Sequence, residues 1–290
     1  MELRHIRYFL AVAEAGNFTR AAAKLGIGQP PLSQQIRDLE TEVGAVLFHR
    51  VPHGAELTAA GLAFLPEARA ALAAAEAARL AAQRAARGKT GRLSLGFTAS
   101  SAFNPVVTRS IRSFSSRWPD VALTLSEMNS DGLMVKLMRG EIDAAFIRPG
   151  LEDPKEVRLK RLADEAMSVA LPASHPLARQ TKVPLAALAG EPFVLFPRTV
   201  GLSLYDDILQ ACRQAGFELQ VTQEAPQIPS VVNLVAAGLG VSVVPASITK
   251  IAVEGVAYRP IEGPALLARL GFAVLKSQRS PITENLMSLL

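Results

Sequence analysis

A chain of 290 residues, 49% of them apolar, is long enough to bury two or three separate cores, and it holds no unbroken apolar run of the length that a membrane-spanning helix needs. The net charge of +5 points only weakly to an anionic partner: through residue 88, ten Lys/Arg stand against eight Asp/Glu, so nucleic-acid binding there would rest on placement rather than bulk charge. The single cysteine, Cys212, rules out an internal disulfide and fits a reducing cytoplasm, and the opening Met-Glu-Leu-Arg-His lacks the charged-then-apolar pattern of an export signal.

The first element is a helix whose apolar stripe is Leu3, Ile6, Phe9, Leu10 and Ala13. Residues 18–40 then read as two short helices around a tight turn. Ala21, Ala22, Ala23 and Leu25 let a second helix approach closely, and Gly26 and Gly28 supply the freedom of a sharp turn. The second helix starts near Pro30, since proline is tolerated in a first turn, and buries Leu32, Ile36 and Leu39. Its other side shows Gln29, Ser33, Gln34 and Arg37, groups that hydrogen-bond base edges and phosphates in a major groove. Taken alone, the stretch reads either as such a reader or as a helical hairpin with a solvated face. Leu47-Phe48-His49-Arg50 follows and leads through Pro52-His53-Gly54-Ala55 to Glu56-Leu57-Thr58-Ala59-Ala60-Gly61.

The combination resembles the LysR-type transcriptional regulators, whose amino-terminal signature matches at Phe9, Ala13, Phe18, Ala21, Ala22, Leu25, Gln29, Ser33, Ile36, Leu39, Glu40, Leu47, Phe48, Arg50, Leu57, Thr58, Ala60 and Gly61. The resemblance implies a winged helix-turn-helix over residues 1–58, with its wing near 48–58. Gln29, Ser33 and Gln34 are then expected at base edges, and Arg37 and Arg50 at phosphates. Pro30, His53 and Thr58 complete the expected DNA-binding set, and His53 stands where the family often has a basic wing residue. Its protonation would raise minor-groove affinity on acidification.

From Thr58 to Ala86 the chain is alanine-rich and carries Leu62, Leu65, Leu72 and Leu80, which reads as one long helix, with Pro66 as a kink or restart. Near-heptad spacing suits close pairing with a second copy, and the resemblance implies a dimerisation linker at 59–87 with Leu65, Leu72 and Leu80 in its seam. A hinge at 88–91 follows. Strands are expected at Leu93–Phe97, Val121–Met128, Ala144–Ile147, Ser168–Leu171, Phe193–Phe196, Gln220–Glu224, Val241–Val244 and Leu270–Leu275. Helices are expected near 103–117, 130–139, 203–215 and 227–237. This α/β alternation resembles the effector-binding domain of LysR-type proteins, a two-lobed fold similar to periplasmic solute-binding proteins. Over 92–290, lobe I would comprise 92–162 and 267–290, and lobe II 163–266. The chain stops within the expected final helix, whose last turn is expected to be frayed or missing.

No catalytic constellation is visible. His5, His49, His53 and His175 are scattered without metal-ligand spacing, and no nucleophile elbow surrounds Ser100 or Ser101. Neither a metal nor another cofactor is expected. Binding has a better home, at loops beyond the carboxyl ends of strands, where helix starts offer N–H groups to anions. Thr98–Phe103, Met128–Ser130, Phe146–Arg148 and Phe196–Thr199 qualify. Carried over from regulators of aromatic-compound degradation, Ser100, Ser130, Arg148 and the Phe196-Pro197 loop fall on effector-contact positions, and Ser101, Phe146, Thr199 and Gln227 join them as candidates. Ser100 and Ser130 serve equally well as helix caps, and Arg148 either clamps a carboxylate or pairs with a structural acid. The expected protein is a cytoplasmic regulator whose partners are double-stranded promoter DNA, a small anionic effector, further copies of itself as a dimer assembling to a tetramer, and RNA polymerase, with no membrane. The alternatives are a solute-binding protein, or a small-molecule enzyme without a recognisable catalytic site.

Overall fold

The structure, a computed structural model, describes residues 1–52, 54–150, 154–278 and 280–290. The chain divides into two compact units, Met1–Arg84 and Ala85–Leu290.

The first unit runs α1 (Leu3–Ala15), α2 (Phe18–Leu25), α3 (Gln29–Val43), β1 (Phe48–Val51), β2 (Gly54–Leu57) and α4 (Ala59–Ala86). The helix ends follow from the punctuation. Gly16 and Gly26 take left-handed conformations after α1 and α2, and the Asn17 side chain accepts from the Thr19 and Arg20 amides to start α2. One core fills the unit, with Ile6, Phe9 and Val12 of α1 meeting Ala21 and Ala22 of α2, Leu32, Ile36 and Leu39 of α3, and Phe48 of the wing. The α4 helix continues through Pro66 without interruption. Leu65 and Leu72 are partly buried against the core of their own unit, whereas Leu62 and Leu80 are 60% and 45% exposed. The reason is phase: Leu65 and Leu72 share a helical face with Phe64, Ala68 and Ala71, and that face is already turned to α1.

The second unit begins with β3 (Gly91–Phe97), α5 (Ala99–Ala102), α6 (Pro105–Arg117), β4 (Val121–Glu127), α7 (Ser130–Met138), β5 (Ala144–Ile147) and β6 (Val157–Arg161). It continues through β7 (Glu165–Pro172), β8 (Val183–Pro184), β9 (Pro192–Leu195), α8 (Leu202–Gln214), β10 (Gln220–Glu224), α9 (Ile228–Ala236), β11 (Ser242–Pro245), β12 (Val256–Glu262) and β13 (Leu267–Ala268). It closes with β14 (Gly271–Leu275) and α10 (Pro281–Met287). Lobe I is a five-stranded sheet in the order β4-β3-β5-β14-β6. Alternation along its strands serves two cores: Ala144, Phe146, Phe272 and Val274 face one helical layer, Ala145, Ile147, Ala273 and Leu275 the other. Lobe II is built on β11-β7-β12-β8, with β13 added to β7, and on the parallel pair β9 and β10.

Four strands were not expected, two of them the two-residue β8 and β13. In β6, Val157-Arg-Leu-Lys-Arg161 alternates apolar with charged residues at a sheet edge, and β12 carries Pro260, a residue that argues against a strand. Leu267–Ala268 still pairs with Ala166 and Glu165 of lobe II, so the return to lobe I falls beyond the expected boundary at 267. The last turn of α10 is closed rather than frayed, with the Ser288 amide on the Glu284 carbonyl and those of Leu289 and Leu290 bonded behind it.

Candidate functional site

The candidate DNA-reading surface is the outer face of α3 together with the wing. Leu32, Ser33, Ile36 and Leu39 form the inner face of α3, and Pro30, Gln34, Arg37 and Asp38 the outer one. Gln34 donates to Asp38 at 2.8 Å and accepts from Arg37 at 2.7 Å, and Asp38 also accepts from Gln35 at 3.5 Å, so the outer face is a chain of exposed polar groups bonded within α3. Ser33 corrects the sequence reading: it is 4% exposed and its hydroxyl accepts from the half-buried Gln29 amide at 2.8 Å, because its position one turn before Ile36 places it on the packed side. Thr58 is corrected in the same way. It is buried, donates to the Val46 carbonyl at 2.7 Å and accepts from the Gly61 amide at 2.9 Å, which makes it the cap of α4. Arg50 is exposed on the wing with its guanidinium over the Phe18 ring, and Glu40 ties α3 to the wing by accepting from the Leu47 and Phe48 amides. His53 lies outside the described residues.

In the second unit the loops beyond the strands enclose a cavity of about 470 Å³, partly open to solvent. The cap residues of four helices line it: Thr98 before α5, Asn129 before α7, Gly201 before α8 and Gln227 before α9. Thr98 and Asn129 use their own side chains to cap α5 and α7, through the Ser101 and Gly132 amides. In lobe II, neither Gly201 nor Gln227 makes a side-chain cap, so the first amides of α8, and those of Ile228 and Ser230 on either side of Pro229 in α9, keep the unmet donor capacity of a helix start. Phe196, Leu204 and Ile228 supply an apolar wall. Ser100, Ser130, Arg148, Phe196 and Gln227 therefore line the cavity as the sequence reading expects, while four other candidates do not. Phe146 is fully buried against Phe272, and Ser101 is spent on the capping box of α5. Pro197 is absent from the lining, and Thr199 contributes only its carbonyl, which accepts from Asn129 of the other lobe at 3.2 Å.

Arg148 takes the second of the two roles that the sequence left open, pairing with a structural acid. It is the only charged side chain among the described lining residues, yet its fork is already filled. Nε donates to the Ser100 hydroxyl at 3.1 Å, Nη1 to the Ala268 and Arg269 carbonyls at 3.3 and 3.1 Å, and Nη2 to the Ser100 carbonyl and the Glu165 carboxylate. Burial lowers the guanidinium pKa, and Glu165 opposes that shift. Arg148 is thus a pin: it fastens the end of β5 in lobe I to Glu165 at the start of β7, and Glu165 in turn accepts from the Ser247 amide of lobe II at 3.2 Å. Ser130 accepts from the Arg148 amide at 3.1 Å, so both serines of the cavity also hold this arginine. Sequence reasoning missed Glu165, although a basic residue at a buried strand end demands an acid nearby. A larger recess beside the cavity, about 1400 Å³, is lined by Asp131, Asp206 and Asp207 together with Arg269; Asp206 is paired with Arg198 and Asp207 with Arg269.

Two family models cover nearly the whole chain: the bacterial regulatory helix-turn-helix of the lysR family over residues 3–62, and the LysR substrate binding domain over residues 86–290. The chain belongs to the LysR family. Among its LysR relatives, the transcriptional regulator BudR of Raoultella terrigena is 40% identical over 289 residues, covering 100% of both chains. The Hca operon transcriptional activator HcaR of Escherichia coli K12 is 36% identical over 289 residues, covering 100% of this chain and 97% of that one. The crystal structure of CbnR superposes with a TM-score of 0.89 at 31% identity, over 100% of this chain and 99% of that one. Full-length CbnR complexed with its target DNA gives 0.84 at 30%, over 100% and 98%. The chain is accordingly a sequence-specific DNA-binding transcriptional regulator with a small-molecule effector-binding domain, not an enzyme. No helix among the described residues is long and apolar enough to cross a membrane.

Proposed function

We propose that this LysR regulator senses a small organic anion, an aromatic or dicarboxylic acid of the kind controlling aromatic-compound degradation, in the cavity between its two lobes. The observation that carries this reading is the convergence of four helix starts on one cavity free of unpaired carboxylates, with the two uncapped starts in lobe II. Helix starts concentrate partial positive charge and unmet N–H donors, which suits an anion without a dedicated cationic side chain. The apolar wall of Phe196, Leu204 and Ile228 suits the carbon skeleton.

In this reading the chain works in the cytoplasm as a dimer assembling to a tetramer on promoter DNA, where RNA polymerase is its further partner. The exposed Leu62 and Leu80 on α4, with alanines between them, support pairing of linker helices from two copies. Gln34, Gln29 and Pro30 meet the DNA from α3, and Arg37 and Arg50 meet its phosphates. An effector acts by binding one lobe arrangement better than another, and it can shift the protein only by that difference in affinity. Fluorescence anisotropy on the protein's own upstream region, with and without a panel of carboxylic acids, tests this. An acid that changes DNA affinity or stoichiometry supports the reading, and a panel of neutral metabolites acting where the acids do not would overturn it.

A further inference from the structure

We propose that Phe18 is a positioning residue for DNA binding: its ring holds the guanidinium of the wing's Arg50 in place for contact with the DNA backbone. The inference rests on the reading that Arg50 meets a phosphate.

Arg50 Cζ stands 5.1 Å from the centroid of the Phe18 ring, and Arg50 makes no ion pair among the described residues. Its place is fixed from three directions. Along β1, Phe48 and Arg50 point to the same face, and Phe48 is buried edge-on against Phe18 with ring centroids 5.8 Å apart. Across the hairpin, Arg50 pairs with Ala55, whose amide donates to the Gly16 carbonyl at 2.8 Å. Gly54 is pressed so closely onto that carbonyl that a Cβ would stand 2.2 Å from its oxygen, which seats the wing on the turn between α1 and α2. Beneath, Asn17 fixes the first turn of α2 through the Thr19 and Arg20 amides at 2.9 and 3.1 Å, so Phe18 is a rigid platform.

The chemistry favours this arrangement over an ion pair. A guanidinium stacked on a ring uses its flat face and leaves every N–H in the plane free for a phosphate, whereas a carboxylate partner would occupy the donors the DNA needs. Arg148 shows the opposite case, with its donors consumed by protein acceptors. Stacking therefore lets the wing arginine be ordered before binding without being neutralised.

The test is a double-mutant cycle on the full-length protein, reading affinity for a random-sequence DNA duplex across a salt series. Arg50→Ala is expected to weaken binding and to reduce the slope of log K against log salt by about 1, the value for one lost phosphate contact. Phe18→Leu keeps the charge, so it should leave the slope unchanged and cost ~2–5-fold in affinity, the range for an exposed cation–π contact. In the Arg50→Ala background Phe18→Leu should cost nothing further, and Phe18→Tyr, which keeps a ring face, should bind as wild type. Equal losses from Phe18→Leu in both backgrounds, or no loss in either, would overturn the positioning role. If Phe18→Leu fails to fold, Arg50→Lys asks the same question from the wing: weaker binding at an unchanged slope supports the stack, and wild-type affinity overturns it. An Arg50→Ala variant with unaltered affinity and slope would instead remove the phosphate contact itself.

Discussion

The two binding regions treat their polar side chains in opposite ways. On the outer face of α3, Gln34, Arg37 and Asp38 are exposed and bonded to side chains of the same helix, and Arg50 rests on a ring with no ion pair among the described residues. In the cavity of the second unit, Arg148, Ser100 and Ser130 are bonded into the frame that joins the lobes. Exposed polar contacts of the first kind are worth ~0–1 kcal/mol, so DNA can recruit those groups at little cost. Breaking a buried pair of the second kind costs ~3–5 kcal/mol, so an effector cannot simply take Arg148 for itself. It must use what is left, the helix starts and the free hydroxyl capacity, and any contact it makes with Ser100 or Ser130 bears on the arginine that pins the lobes. The proposed reading surface is thus kept loose, while the proposed effector cavity is wired into the frame that joins the lobes.

Breaking the buried frame should give the largest effect. Glu165→Ala leaves the Arg148 charge buried without its acid, and thermal or urea unfolding of the second unit should show a loss of ~3–5 kcal/mol, with the amino-terminal unit unaffected. Adding Arg148→Met should restore part of that loss, since the pair then vanishes together. A Glu165→Ala protein as stable as wild type would mean that the pin is not structural.

On the loose surface, Gln34→Ala should leave unfolding unchanged and reduce discrimination between specific and random DNA by ~1–3 kcal/mol. Competition binding measures this, and equal losses on both DNAs would contradict base contact. Thr58→Ala separates the two behaviours within one unit. As a buried cap it should lower the melting free energy by ~1 kcal/mol, while the folded fraction binds DNA as before. The smallest effect is expected at Cys212, which is fully buried on α8 with its thiol pushed up to about 11 by desolvation. Thiolate forms only as pH rises toward that value, so at neutral pH its fraction is ~10⁻⁴, and iodoacetamide should label the protein only after unfolding. Rapid labelling of the native chain would contradict the burial of this thiol.

Legibility in the sequence followed the same division. Helix phase, proline and glycine punctuation and strand-helix alternation were enough for the helical pair, the long helix and most strands of the second unit, since each rests on local pattern, whereas the wing and the two lobes came from the resemblance to the family. The strands β6 and β12 escaped because Arg158, Lys160 and Pro260 disguise them, and only their pairing with β14 and β7 explains them. At the sites, the loops around the cavity were legible from their place after strands, but the state of each side chain was not. Ser33, Thr58, Ser101 and Phe146 were read as contacts and turned inward, because one helical position or one strand face separates a ligand-facing group from a core one. Arg148 was placed correctly and its partner Glu165 was not, since the lobe crossing that brings the two together is a long-range feature.

The most direct test of the central claim, an anion held by helix starts rather than by a free arginine, is calorimetric titration with a responsive carboxylic acid and its uncharged amide, on wild type and on Leu202→Pro. That variant removes a first amide of α8 at a position where proline suits the helix. The account predicts that wild type binds the acid at least ~10-fold more tightly than the amide, an electrostatic preference of ~1.4 kcal/mol, and that Leu202→Pro narrows the gap while remaining folded. Equal affinity of wild type for acid and amide would contradict it.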